Sequence, residues 1–241
     1  MKKIMITALA LALALSTAGC AGHTPGQEGR PATATDAAGE SAAVPEETTE
    51  AFVTETDGFA FSDLFAYAGP YVEDGSNEEV DNVAAIRVEN RSGQALRYAE
   101  ITVSTGAGDL HFTCTTLLPG RSALLLEQNR AAFAGSAANG IRFDSKGFFE
   151  EAPTLYPDTF SVSVNGHVLT LRNITSRPVA GEIYVYYKRS DSQGYLGGIT
   201  YRVRFADLAA GAEASMSSQN LSVQDCDILF IDCENPPEAA Q

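Results

Sequence analysis

Few side chains in this sequence are reactive: Cys20, Cys114, Cys226 and Cys233, with His23, His111 and His167. Thiols and imidazoles together can hold zinc, but no C-x-x-C spacing occurs. His111 with Cys114 is the only His/Cys neighbourhood, so no metal site is expected. His111 also stands two residues from Asp109, and His167 follows Asn165-Gly166. Neither neighbours a nucleophile motif such as G-x-S-x-G or S-x-x-K. Triad members can lie far apart in a sequence, which keeps one enzymatic alternative open: a secreted hydrolase with a site between two domains. No catalytic residue is assigned and no cofactor is implied. Leaving Cys20 aside, three cysteines remain, enough for at most one intrachain disulfide. Residues 225–234 read as one strand, which puts Cys226 and Cys233 on opposite faces and roughly 23 Å apart. A disulfide tolerates a Cα separation below about 7 Å. Either the strand breaks between them or the thiols stay free, as small buried hydrophobes.

Two other clusters carry polar chemistry. Glu73-Asp74-Gly75-Ser76-Asn77-Glu78-Glu79-Val80-Asp81 is dense in oxygen ligands of the kind Ca²⁺ takes. Its spacing does not fit the EF-hand pattern. It reads first as a solvated loop, and calcium binding stays open. The second cluster is a sheet face. In Tyr184-Val185-Tyr186 the tyrosines point to one side; in Arg202-Val203-Arg204 the arginines do. If the two runs pair with apolar faces inward, Tyr184, Tyr186, Arg202 and Arg204 line one outer surface. Tyr and Arg are enriched at binding hot spots, and Arg over Tyr adds cation–π attraction. The competing reading is cross-strand pairing that only stabilises an exposed sheet. Register is not fixed, because a turn falls between Arg189 and Gly194 and Gly197-Gly198 are placed to form a bulge.

The elements that hold these residues follow from composition. Of 241 residues, 44% are hydrophobic, enough for a packed core. Sixteen Lys and Arg stand against 31 Asp and Glu, a net charge of −15. That balance argues against a nucleic-acid partner. Met1-Lys2-Lys3 begins a basic segment followed by an uncharged Leu/Ala run to Cys20, too short to span a bilayer. It reads as a secretory signal. Its end, LSTAGC, resembles the lipobox of bacterial lipoproteins, with Thr17 where that family prefers Leu. The resemblance implies a signal peptide over residues 1–19 and thioether lipidation of Cys20. The membrane is then a partner through that lipid, and the address is the extracytoplasmic face of the bacterial membrane. Residues 20–56 read as a disordered acidic tether. Over 21–50 there is one Val, no larger aliphatic or aromatic residue, and six acids against Arg30. Residues 236–241 read as a disordered tail.

From about Gly58 onward, short alternating runs are broken by Gly, Pro, Asn and Asp. Residues 160–164 and 167–172 flank Asn165-Gly166, the strongest short hairpin signal. Only 128–138 could form a helical turn or two. The halves also resemble each other. Residues 86–90 (IRVEN) match 169–173 (LTLRN), EITV at 100–103 matches EIYV at 182–185, and LPG at 118–120 matches AAG at 209–211. Ile141–Asp144 is aligned with Ile228–Ile231. A repeat of this length is domain-sized. The expectation is all-β: two tandem antiparallel β-sandwich, immunoglobulin-like domains, at 57–147 and 155–235. Three N-x-[ST] triplets, at Asn90, Asn173 and Asn220, read as chance. The strand, Asn, turn and LPGxS-like pattern resembles small immunoglobulin-like modules of Gram-positive surface lipoproteins. So does YYKRSDSQGYLGGITYRVRF at 186–205. The resemblance implies fold and location and carries no catalytic motif. The expected function is a non-catalytic binding module whose partner, protein or glycan, is unknown.

Overall fold

Alternation of apolar and polar residues buries one side of a strand and wets the other. In the computed structural model, which describes residues 53–222 and 225–235, it produces fourteen strands and no helix among those residues. The first half holds β1 (Val53–Thr56), β2 (Phe59–Tyr71), β3 (Glu78–Asn90), β4 (Leu96–Thr105), β5 (Gly108–Leu117), β6 (Ser122–Leu126) and β7 (Ala138–Phe148). The second holds β8 (Phe160–Asn165), β9 (Val168–Asn173), β10 (Val179–Asp191), β11 (Gly194–Leu196), β12 (Tyr201–Leu208), β13 (Glu213–Ser217) and β14 (Cys226–Cys233). The signal segment, Cys20, the tether up to residue 52 and the tail lie outside the described residues. Among the described residues Val53–Thr56 are already strand, so this stretch of the expected tether at 20–56 is folded.

The strands form several sheets, in keeping with a β-sandwich. β5-β4-β7 and β13-β9-β8 are three-stranded; the remaining eight run β1-β2-β3-β6-β11-β10-β12, with β14 also on β10. One buried cluster takes Phe59, Phe61, Ile86, Val88, Ile101, Phe112 and Leu125 from β2 to β6. Another takes Phe160, Leu169, Leu171, Ile183, Val185, Phe205 and Ile231 from β8 to β14.

Register repeats between the halves. Central β4 lies between β5 and β7 as β10 lies between β12 and β14. Thr102 faces His111 and Arg142 where Tyr184 faces Arg204 and Asp232. Val103 faces Ile141 as Val185 faces Ile231, so Ile141 matches Ile231 and not Ile228. β14 also carries a bulge, with one extra residue opposite the step from Tyr186 to Tyr187. That bulge also overturns the expected opposite orientation of the β14 cysteines. Cys226 and Cys233 both pack on the second cluster, and both are free thiols.

Two of the N-x-[ST] triplets have a structural reason. Asn90 is fully buried; its Nδ2 donates to Gln94 O and Leu117 O, and its Oδ1 accepts from Ser92 N and Oγ. Asn173 repeats the arrangement with Arg177 O, Leu208 O and Thr175. Each asparagine satisfies backbone groups that a buried turn would otherwise leave unpaired. The 165–168 hairpin forms as expected, but its central pair is Gly166-His167. Positive φ falls on Gly166 alone, as a type II′ turn requires. Residues 128–137 form no helix and 138 already belongs to β7, because the buried Glu127 carboxylate accepts the N–H of Asn129 and of Ala131 and draws the chain into a loop.

The halves are joined by a strap, Gly194–Thr200. β11 pairs in parallel with β6, and Thr115 N donates to Gly198 O at 2.7 Å. Gly197-Gly198 is therefore no bulge between β10 and β12. A Cβ at Gly198 would sit 1.7 Å from Thr113 O, and one at Gly197 2.3 Å from Val72 Cγ2. Two side chains grip this strap. Glu73 accepts the N–H groups of Gly198 and Leu126 at 2.8 and 3.0 Å. Lys188 is 0% exposed and donates to the carbonyls of Gly197, Gly198 and Ile199 at 3.3, 2.7 and 2.8 Å. Burial pushes the Glu73 carboxyl up and the Lys188 amine down, against their mutual attraction.

Candidate functional site

Burial of Ile183, Val185 and Tyr187 on one side of β10 forces Tyr184 and Tyr186 to the other. β12 does the same with Val203 and Phe205 inside and Arg202 and Arg204 exposed. Pairing then sets Tyr184 beside Arg204 and Tyr186 beside Arg202, so all four residues share one face. The Arg202 guanidinium lies 4.5 Å over the Tyr184 ring. Arg204 is ion-paired with Glu182, which also accepts the Tyr184 hydroxyl. That hydroxyl, and then Arg204, hold the Glu182 carboxyl below its usual range. Among the described residues Arg202 has no carboxylate within ion-pair distance, unlike Arg204, Arg130 and Arg142.

The face extends beyond the four residues that alternation identifies. Phe230 of β14 stacks on Tyr186 at 4.3 Å with ring planes 7° apart, and Phe149 meets Phe230 at 5.4 Å and 74°. Tyr184 and Tyr186 are 6.4 Å apart. Phe230 escapes a sequence reading because the β14 bulge turns it outward, out of step with a strict two-residue period. Phe149, in the link between the halves, has no periodic signal. It also lines a groove with Leu118, Pro119, Arg121 and Pro153.

The first half carries different residues at the same register. Thr102 stands where Tyr184 does, Ser104 for Tyr186, His111 for Arg204, Asp109 for Arg202 and Gly140 for Phe230. Here Thr102 Oγ1 donates to Asp144, and His111 Nδ1 lies 3.2 Å from the same hydroxyl. Thr, His and Asp together invite comparison with a hydrolytic triad. Their order is wrong for one. The Thr102 bond and Arg142 hold Asp144 below the usual carboxyl range, so it is an acceptor only. The single hydroxyl proton goes to Asp144, which makes His111 a donor to Thr102 and not its base. His167 Nδ1 lies against Leu221 O, again a donor's position.

The acidic loop is engaged internally. Arg130 lies 4.4 Å over the Tyr71 ring and bonds Asp74 and Glu78, both at 2.7 Å. Bonds from Ser76, then Arg130, bring the Asp74 carboxyl down to about 2, and burial pushes the Tyr71 phenol up to about 12. Among the described residues no three His, Cys, Asp or Glu side chains are grouped to hold a metal ion. No known protein family matches the chain, and no curated protein does.

Proposed function

We propose that this chain is a lipid-anchored protein of the extracytoplasmic face of a bacterial membrane. Two tandem immunoglobulin-like sandwich modules, carried on an acidic tether, then act as a non-catalytic binding unit whose face is Tyr184, Tyr186, Arg202 and Arg204. One observation carries the reading of the face. The architecture is satisfied at the same register by Thr102, Ser104, Asp109 and His111, so sheet pairing does not demand tyrosines and arginines there. Their presence in the second half is a surface property added to the fold. Arg202, stacked on Tyr184 with its N–H edge free of carboxylates, is oriented to accept an anionic or hydrogen-bonding group. The partner is a protein or glycan; an acidic chain of this balance does not suit nucleic acid.

The arginines give the test. Arg202→Glu with Arg204→Glu changes stability by only about ±0.5 kcal/mol, as exposed substitutions do, yet abolishes capture of the partner crosslinked to the protein on intact cells. A variant that folds and still captures the same partner places the site elsewhere. Anchoring has its own test. Cys20→Ser releases the protein into the medium or stalls it as uncleaved precursor. Normal processing with continued partition into detergent contradicts lipidation.

A further inference from the structure

We infer that β8 of one copy pairs edge to edge, antiparallel and about a two-fold axis, with β8 of a second copy of this chain. The inference concerns a different sheet from the Tyr/Arg face and does not depend on that reading. The internal repeat reveals the open place. Phe59 faces Asn90 as Phe160 faces Asn173, and Gly58 O accepts Arg91 N as Thr159 O accepts Ile174 N, so β2 and β8 are equivalent. In the first half β1 folds back through Asp57-Gly58, both at positive φ, and covers the β2 edge from Phe59 to Ser62. In the second half Pro157-Asp158-Thr159 stand where Thr56-Asp57-Gly58 make that turn. Proline has no N–H to close the hairpin, and Thr159 lacks glycine's freedom. The chain turns instead at Tyr156, whose carbonyl accepts Thr159 N and Phe160 N, and Thr154 O goes to Ile231 N of β14. β8 is left as an outer strand of β13-β9-β8.

Successive residues of an antiparallel strand turn their backbone groups to opposite sides. Thr159 O bonds β9, and in alternation so do Ser161 and Ser163, which turns the N–H and C=O of Val162 and Val164 to the open edge. One register satisfies them all: Val162 opposite Val164 of the second copy. The register two residues away would set Val164 opposite Phe160, whose N–H is already bonded to Tyr156. In the favoured register the half-buried Val162 and Val164 cover each other, and Ser163 faces its own copy across the axis. Natural sheets blunt their edges with charges, proline and bulges. β8 alone among the described edge strands has none of these, while β1, β5, β7, β12, β13 and β14 each carry a charged residue. In a chain of net charge −15 this neutral edge lets two acidic bodies meet with no charge in the paired strands. Repulsion between the remainder is screened over about 8 Å at physiological salt. The same patch serves on both copies, so the assembly closes at two.

Sedimentation of the full chain in density-matched neutral detergent tests this. Wild type should run as monomer and dimer in proportions set by concentration, with nothing larger, and added salt should preserve or strengthen the dimer. Ser163→Lys and, separately, Ser163→Glu set like charges against each other at the axis and should each weaken the dimer at least about tenfold. Mixed one to one, the two variants should restore it. Val164→Pro removes an N–H that only the second copy uses and leaves the bonds to β9 in place; it should weaken the dimer to a similar extent. All three variants should keep the wild-type strand content by circular dichroism. A wild type that stays monomeric, assemblies that grow beyond two, or a Ser163→Lys chain that dimerises as wild type does overturns the inference. If wild type is monomeric and Ser163→Lys loses a partner crosslinked on cells, the edge takes an extended segment of another protein instead.

Discussion

Gly198→Ala is expected to cost about 3 kcal/mol or more and to split the thermal unfolding of the protein into two transitions. The added methyl would lie 1.7 Å from Thr113 O and 2.8 Å from Thr113 C, which is backbone and cannot swing aside. Relief requires the strap to lift from β5. That breaks the Thr115–Gly198 bond and displaces the carbonyls that Lys188 holds. Forced overpacking usually costs about 1–3 kcal/mol and more where the backbone must move. Apart from Tyr195 and Leu229, each buried cluster draws its residues from one half, so loosening the strap is expected to let the two halves unfold separately. Gly140→Ala is the control, since a Cβ there meets nothing within 4 Å. Scanning calorimetry separates the outcomes. One sharp transition at a lowered temperature would instead describe a single continuous sandwich.

Lys188→Met is expected to destabilise by about 2–3 kcal/mol, because buried carbonyls lose the ammonium that satisfies them. Methionine keeps most of the volume, so the loss isolates hydrogen bonding and charge. Gly198 O retains Thr115, but the carbonyls of Gly197 and Ile199 lose the ammonium that satisfies them, and Glu73 faces them without its counter-charge. Adding Glu73→Gln should recover part of the loss, because the uncompensated carboxylate then disappears. Denaturant midpoints of the single and double variants measure the coupling. A Lys188→Met protein as stable as wild type would mean that water replaces the ammonium.

Local rules made much of the fold legible. Alternation identifies the strands, Asn165-Gly166 marks a hairpin, and matched strings such as IRVEN and LTLRN reveal the internal repeat. They reveal it because strand pairing and turns are short-range in sequence. The Tyr/Arg face follows from the same two-residue period. What escaped is long-range. Glu73 and Lys188 are 115 residues apart, and each looks like an ordinary surface charge until the strap closes between them. Gly197-Gly198 carries the only sequence trace of that contact, and a bulge explains the dipeptide equally well when no partner backbone is in view. Phe230 is hidden by a one-residue bulge, which inverts every orientation beyond it. Asn90 and Asn173 match a modification triplet by composition, while their role in knitting turns depends on burial.

The most direct test of the account exchanges one face for the other. A chain carrying Tyr184→Thr, Tyr186→Ser, Arg202→Asp and Arg204→His has in its second half the residues its first half bears at the same register. Crosslinking on intact cells, with wild type and variant anchored at equal density, reads the result. The variant is predicted to fold with wild-type strand content and to lose the crosslinked partner. Capture of that partner at the wild-type level by the folded variant would contradict the claim that this face binds.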